Sequence, residues 1–391
     1  MESGEFLWGA STSAHQVEGN NVHNDWWHWE TTHSGASRSG RAADHWGRFR
    51  EDFALAKSLG HTAHRFSIEW SRIEPRPEQW NTQAVAHYRQ VLTELRRHGM
   101  KSFVTLHHFT NPLWLAQRGG WTSSAAPEHF ARYVRYISQQ LGELVDFWIT
   151  INEPMVYATQ AYWTRRWPPQ ERSLFTLWQV IRHLARAHRL SYRVLHTVTP
   201  RVPVGLANHV IAYLPEHEGQ LDDQLVAWLE DWWFNHRFFD LTGATHDFIG
   251  VNYYFTVKKR VHVFPPSLGD VPWKGPVSDM KWSISPEGLT HTLLHMKKYR
   301  KPLYITENGL ADARDLQRAD FIRDHLRAIE KAQAFGADVR GYLHWSLLDN
   351  YEWADGFTPR FGLIEVDYTT MRRRVRPSAY AYRAIIEQAQ R

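Results

Sequence analysis

The chain contains no cysteine. That excludes a disulfide framework, a thiolate-bound zinc or iron–sulfur centre, and a cysteine nucleophile. No apolar run reaches about 18 residues, the length a helix needs to cross a bilayer, so neither a membrane span nor a membrane partner is expected. The start, Met1-Glu2-Ser3-Gly4-Glu5-Phe6, lacks the basic residues and apolar core of a secretory leader, and a cytoplasmic location is the expectation. No Gly-x-Gly-x-x-Gly turn occurs, which removes the usual mark of a dinucleotide-binding sheet. No low-complexity linker or short repeat divides the chain. Charge of one sign is also scarce: 46 basic against 41 acidic residues leave only +5. The pI near 9.3 therefore has no basic–aromatic stripe behind it, and no nucleic-acid partner is expected. The one dense basic run, Arg372, Arg373, Arg374 and Arg376, reads as a solvated loop.

Aromatics are abundant, with 20 Trp, 16 Tyr and 19 Phe. Their flat faces pack cores, and they also stack on the apolar faces of sugars. A length of 391 residues suits one large barrel or two to three ordinary domains. Short apolar runs decide between these: Phe6–Ser11, His64–Trp70, Ser102–Phe109, Phe147–Asn152, Val202–Asn208, Phe248–Tyr254, Leu303–Thr306 and Gly341–Leu347. Each reads as a strand of a parallel sheet buried on both faces. Helical patterns lie between most of them. Asp44 can cap Trp46–Leu59, which Gly60 ends; Ser124–Leu144 carries Phe130, Tyr133, Val134, Ile137 and Leu141 at helical spacing; Leu174–Leu195 and Leu316–Phe335 follow, the last closed by Gly336. Eight strands alternating with helices in one undivided chain predict a single α/β domain over 1–391, a (β/α)8 TIM barrel with shortened loops.

Barrel enzymes carry their chemistry where strands end at the C-terminal rim. Here the ends are polar: Gln16 and Glu18 after the first run, Arg65 and Glu69 in the second, His107-His108-Phe109, Asn152-Glu153, Asn208-His209, Asn252-Tyr253-Tyr254, Glu307-Asn308, and His344-Trp345. Two carboxylates stand out. Glu153 and Glu307 each follow a strand that should be buried, where a carboxylate costs desolvation unless it is paired or functional. Strands four and seven lie across one mouth, which is the arrangement glycoside hydrolysis uses. Taken alone, either residue fits an ion pair at the rim better than it fits catalysis. His107 and His108 are adjacent on a strand and face opposite ways. With no His/carboxylate set at ligand spacing among the 24 His, no metal site and no cofactor are expected.

Six segments in order resemble glycoside hydrolase family 1, the β-glucosidase and β-galactosidase type, from Phe6 to about Tyr382. They are Phe6-Leu7-Trp8-Gly9-Ala10 with Gln16-Val17-Glu18-Gly19, Arg65–Ile73, Thr150-Ile151-Asn152-Glu153-Pro154, Tyr304-Ile305-Thr306-Glu307-Asn308-Gly309, Trp345–Trp353, and Arg360-Phe361-Gly362-Leu363. The resemblance implies a retaining β-glycosidase acting on β-D-glucosides, with β-galactosides and β-fucosides as further substrates. It implies Glu307 as nucleophile and Glu153 as general acid and then base. Arg65 and Tyr254 would hold Glu307, the arginine keeping it ionised by lowering its pKa. Glu153, with no such cation expected beside it, would keep its proton until needed. Asn152 would bind the sugar 2-hydroxyl. Gln16, His108, Glu352 and Trp353 would grip the other hydroxyls, Trp345 would be a stacking floor, and Phe109 and Asn252 join this sugar-binding set. Glu352, with no lysine in Gly356–Arg360, argues for an unphosphorylated sugar.

The chain departs from the family pattern at three places. Phe109 stands where a Trp is usual, removing an indole N–H donor. The stretches after strand four (Tyr162–Ser173) and between strands five and six (Ile211–Asp247) are short, so a more open mouth that tolerates bulky aglycones is expected. Trp163, Trp167, Trp178, Trp228, Trp232 and Trp233 crowd those same stretches, where they either seal the barrel or line a site. Two other functions share the same residues: a transglycosylase using both carboxylates, and a non-catalytic sugar-binding barrel, against which the two intact glutamates argue. The partner expected is a small glycoside, and the sequence sets no oligomeric state.

Overall fold

The structure, a computed structural model, describes residues 5–262 and 267–390. The first four residues, read above for a leader, lie outside that range. Eight strands form a ring: β1 (Leu7–Ser11), β2 (Ala63–Ser67), β3 (Lys101–Thr105), β4 (Phe147–Asn152), β5 (Val204–Pro215), β6 (Phe248–His262), then β8 (Leu303–Asn308) and β9 (Val339–Trp345). Neighbours run in that order, and β5–β6 and β9–β1 pairings complete the closure. All eight pairings are parallel. Between the strands run α1 (His45–Ser58), α2 (Thr82–Arg97), α3 (Ala126–Leu141), α4 (Pro154–Tyr162), α5 (Leu174–Val198), α6 (Leu221–Asp231), α7 (Arg237–Thr242), α8 (Pro286–Met296) and α9 (Arg318–Ala334), with α10 (Pro377–Ala389) after the last strand. This is the (β/α)8 barrel that the alternation of runs predicts. No helix among the described residues is long and apolar enough to cross a membrane.

The strand positions agree with the apolar runs, and their ends depart where local geometry overrides hydropathy. Trp70 belongs to a helical turn, Trp70–Ile73, so β2 stops at Ser67. Phe109 sits at φ 71°, a left-handed backbone that extends no strand, and β3 stops at Thr105. β5 and β6 run past their apolar bodies as a ribbon above the barrel, with β7 (Ser267–Val271) added antiparallel on β6. Polar residues such as Lys258 and Lys259 build that extension, which hydropathy alone does not reveal.

Two apolar layers hold the ring. Inside it, Phe103 stacks on Phe147 at 4.2 Å, with Phe248 and Tyr304 set edge-on, so the barrel floor is solid and not a pore. Outside it, the inner faces of the helices bury against the strands. Phe130, Tyr133, Val134, Ile137 and Leu141 of α3 are all buried, as their spacing predicts. Asn81 and Ser173 cap α2 and α5 through their side chains. Asp44 stands at the start of α1 but makes no cap: at φ 54° its carboxylate turns to Arg41 and Arg48 instead.

The C-terminal basic run is not the solvated loop expected. Arg374 is exposed, but Arg373 donates two hydrogen bonds to buried Asp52, at 2.7 and 2.9 Å. Arg376 grips Asp349 at 2.8 and 2.9 Å. Asp349 also accepts from the Gly362 amide and Arg360, and it lies on the loop after β9 that carries Glu352 and Trp353. Spacing could not reveal these partners, which lie far away in sequence. Removing one partner of such a buried pair costs about 3–5 kcal/mol. Arg376→Met is therefore expected to lower the unfolding free energy by that amount in chemical denaturation. A loss under about 1 kcal/mol, the scale of an exposed pair, would mean that the pair holds nothing in place.

Candidate active site

Glu153 follows β4 directly and is the residue before α4. Its backbone is left-handed (φ 45°), its amide is tied to the Ala207 carbonyl at 2.8 Å, and Pro154 opens the helix behind it. Strand, sharp turn and helix together aim the side chain into the mouth. Glu307 lies within β8. Two residues on, Gly309 passes so close to the next strand that a Cβ there would sit 1.7 Å from the Trp345 carbonyl oxygen. Only glycine lets the Glu307 strand end press against the Trp345 strand end. Both carboxylates are buried, both line one cavity of about 790 Å3, and each feels the other's charge.

The two glutamates are connected beneath the cavity. Arg65 donates from Nη1 to Glu307 and from Nη2 to Asn152 Oδ1 at 2.6 Å. Asn252 Nδ2 donates both to that same oxygen, at 3.0 Å, and to Glu153 Oε1, at 2.7 Å. The Tyr254 hydroxyl donates to the other oxygen of Glu307 at 2.7 Å. Thr306 fixes Asn252 by donating to its carbonyl oxygen at 2.6 Å. The arginine and tyrosine contacts agree with expectation, but the effect on Glu307 does not. Burial pushes Glu307 up to about 7; Arg65 opposes this and does not win, and Glu153 adds to the rise. The guanidinium also bonds Thr105 and the Thr306 carbonyl, so its charge is shared among four acceptors.

Most of the expected sugar-binding residues do line the cavity: Gln16, His108, Phe109, Trp345, Glu352 and Trp353. Arg65, Asn152 and Asn252 do not. They are fully buried, and Asn252 holds Glu153. Gln16 donates to Asn350 at 3.1 Å and to Glu352 at 3.2 Å. The rings of Trp345 and Trp353 are near-parallel to the His108 ring, at 12° and 13°. They form flat plates suited to apolar C–H faces. His108 approaches Asn152 through Nε2 at 3.3 Å, and its Nδ1 is left without a partner, free for a hydroxyl. His107 turns away to Asn111, as strand alternation requires.

Sequence reasoning left two features of the mouth unassigned. His209, at the end of the barrel part of β5, brings Nδ1 to 3.6 Å from Glu153; its place at a strand end was the available signal. The outer half of the cavity is apolar, lined by Val156, Ile211, Phe234, Phe255, Met280 and Trp282. These come from α4, from the turn between α6 and α7, from the β5–β6 ribbon and from loops, none of which a motif marks. Of the crowded tryptophans only Trp167 lines the cavity, with its ring 4.7 Å from Phe109. Trp178, Trp232 and Trp233 cluster around Arg237 on the flank, and Trp228 is exposed. One His/carboxylate grouping has no counterpart in the sequence spacing. Asp231, His236 and His295 gather outside the mouth, from two segments some 60 positions apart, so spacing within one motif could not show them.

Comparison with known proteins follows the same lines. The sequence profile described as glycosyl hydrolase family 1 matches residues 3–244 and 239–391. A β-galactosidase of Pyrococcus woesei is 30% identical, with 94% of this chain and 93% of that protein covered. β-Glucosidase A of Thermotoga maritima is 30% identical, with 98% and 97% covered. Among solved structures, a β-glycosidase from Pyrococcus horikoshii superposes with a TM-score of 0.92 at 40% identity, covering 98% of this chain and 94% of that one.

Glu352 is buried, and burial, then Asp355, Glu307 and Glu153, push it up to about 8 from an ordinary 4.5. The folded state therefore binds a proton more tightly than the unfolded chain between those values. Stability from this group is present below about 4.5 and is lost as pH rises toward about 8. Glu352→Gln removes the charge and keeps a hydrogen-bonding partner for Gln16. It is expected to raise the melting temperature at pH 8 by a few degrees and to leave it unchanged at pH 4.5. A variant less stable than the parent at pH 8 would refute the assignment.

Proposed function

The chain belongs to glycosyl hydrolase family 1, and on that premise we propose that this β-glycosidase is a retaining enzyme of β-D-glucosides, with β-galactosides and β-fucosides as secondary substrates. The observation that carries this reading is the unequal holding of the two glutamates. Glu307 is gripped on both oxygens by donors, Arg65 and Tyr254. Glu153 accepts only from the neutral amide of Asn252 among the cavity's hydrogen bonds. Glu307 thus has fixed donors for the charge that returns to it when it leaves, and Glu153 is the carboxyl placed to give and take a proton.

In the first step Glu307 attacks the anomeric carbon as the bond from that carbon to the leaving oxygen breaks. Glu153 gives its proton to that oxygen, and a glycosyl ester of Glu307 remains. In the second step Glu153 takes a proton from water as the water oxygen attacks the anomeric carbon. The ester bond breaks, Glu307 leaves as carboxylate, and the β configuration is restored. Trp345 and Trp353 offer the ring its apolar floor, and Gln16, His108 and Glu352 meet its hydroxyls. Arg166, which lines the cavity, is held by both oxygens of Asp355 at 3.1 Å. Two acids and a spent cation favour a neutral sugar over a phosphorylated one. The apolar outer half fits a bulky, apolar aglycone.

Four measurements test the proposal. Proton NMR of the first product from an aryl β-glucoside is expected to show the β anomer; an α anomer first would mean inversion and a different role for Glu307. Glu307→Ala and Glu153→Ala are each expected to lower kcat at least about a thousandfold with the aryl glucoside, with Glu153→Ala spared more as the leaving phenol becomes more acidic. A non-catalytic barrel would instead be inactive in all forms and still bind sugar. Tyr254→Phe removes a donor from Glu307 and is expected to move the acidic limb of kcat/KM upward from about 7. A limb unchanged in position would detach Tyr254 from the nucleophile. Across a series of β-glucosides, kcat/KM is expected to hold or rise as the aglycone grows; a steep fall would contradict the open apolar mouth.

A further inference from the structure

On the outer flank of the barrel, α6 ends at Asp231 and passes through a π-helical turn, Trp232–His236, into α7; Phe234 of that turn faces the cavity, and the flanking Asp231 and His236 form a separate cluster. In a regular α-helix residues five apart point roughly 140° away from each other. The π turn, closed by the Arg237 amide on the Trp232 carbonyl, takes up one extra residue and brings Asp231 and His236 to one side. His236 Nε2 then lies 3.2 Å from Asp231 Oδ2. A third group comes from α8: His295 Nδ1 lies 3.4 Å from the same oxygen. All three ligand atoms fall within 4.8 Å of one another.

We propose that Asp231, His236 and His295 form a binding site for a divalent transition ion of the zinc type, joining α6–α7 to α8. The chemistry of the donor set fits. Two imidazoles and one carboxylate are borderline ligands of the kind zinc takes. Metal–ligand bonds of about 2.0–2.2 Å at a tetrahedral centre space the ligand atoms roughly 3.3–3.5 Å apart, and two of the observed separations are 3.2 and 3.4 Å. The surrounding groups orient the ligands. The Tyr299 hydroxyl is 2.8 Å from His236 Nδ1, which turns the other ring nitrogen toward Asp231. Asn235 donates to the second oxygen of Asp231 at 2.7 Å, leaving Oδ2 for the ion. Such outer contacts typically tune affinity 10- to 100-fold.

One corner of the tetrahedron is left for water or for His291. His291 lies one turn before His295 on α8, with its ring 4.0 Å from that of His295. His291 and His295 thus stand four apart on one helix face, the spacing at which two imidazoles reach a common ion. Of the neighbouring cations, Lys298 sits over the Tyr299 ring and Lys259 is taken up by Glu230 and Asp270. His236 and Asp231 are buried while His295 is about half exposed, so the ion has a route in from solvent. The site lies on no catalytic group, so its effect is on how firmly the β5–β6 flank is clasped.

The test uses the full chain, freed of metal by chelator dialysis and titrated with zinc chloride. Calorimetry is expected to show one tight equivalent, and the melting temperature is expected to rise with it. Cobalt(II) in place of zinc is expected to give the strong visible bands of a tetrahedral centre. His295→Ala, at a half-exposed position that the fold tolerates, is expected to weaken binding at least about 100-fold and to abolish the thermal shift. Asp231→Asn, which keeps the hydrogen bond from Asn235, is expected to weaken it as well. Zinc binding of equal strength in the parent and in His295→Ala, or no saturable equivalent in the parent, would overturn the proposal and leave the three side chains as a hydrogen-bonded cluster.

Discussion

The mouth of this barrel depends on one cation placed where no water can reach it. Arg65 is fully buried, and its guanidinium bonds Glu307, Asn152, Thr105 and the Thr306 carbonyl. Those partners come from the neighbouring strand β3 and from β4 and β8 across the ring. An unpaired guanidinium in that position would cost several kcal/mol, so the strands must close in a register that brings all four acceptors to it. The same requirement fixes where the two glutamates stand. Arg65 is thus a constraint on the fold before it is a contributor to chemistry.

Around that cation the protein gathers acid at a cost. Burial drives Glu307 and Glu352 both above their ordinary range, with Glu153 adding to the rise at Glu307 and Asp355, Glu307 and Glu153 at Glu352, and neither would be chosen for stability. The barrel tolerates them because its strength lies elsewhere: in the aromatic floor of Phe103, Phe147, Phe248 and Tyr304 and in the helix faces packed outside. Strand ends are free to carry charge when strand bodies hold the structure. The hydrogen bonds of Asn152, Asn252 and Thr306 then turn a cluster of repelling acids into an ordered pair with different surroundings.

The division between what the sequence reveals and what it conceals follows from this layout. Strand bodies are legible because burial on both faces forces continuous apolar runs, and Phe147–Asn152 is readable to the residue. Strand ends are less so: Phe109 and Trp70 look like strand by hydropathy and are not by backbone angle. The glutamates and their partners were readable as motifs. The contact of Asn252 with Glu153 was not, because hydropathy and motif order do not show which side chains meet. Contacts between remote segments were hidden for a plainer reason. Arg376 meeting Asp349, Arg373 meeting Asp52, and His295 meeting Asp231 all join residues whose proximity exists only after folding. The apolar outer half of the cavity is concealed likewise, being assembled one residue at a time from separate loops.

The closing pair of strands has a consequence for how the molecule is made. β1 can complete its hydrogen bonds only with β9, and the Tyr382 hydroxyl on α10 reaches both Gly9 and the Tyr342 carbonyl, each at 3.2 Å. Arg376 then anchors the loop bearing Glu352 and Trp353. A nascent polypeptide emerging from the ribosome thus carries both glutamates long before it carries the clasp that seats them. Until the final helix leaves the exit tunnel, the first strand has an open edge and half of the sugar pocket has no wall. Translation order therefore makes the earliest residues wait for the latest, and gives chaperones a defined interval in which that unpaired edge is theirs to guard.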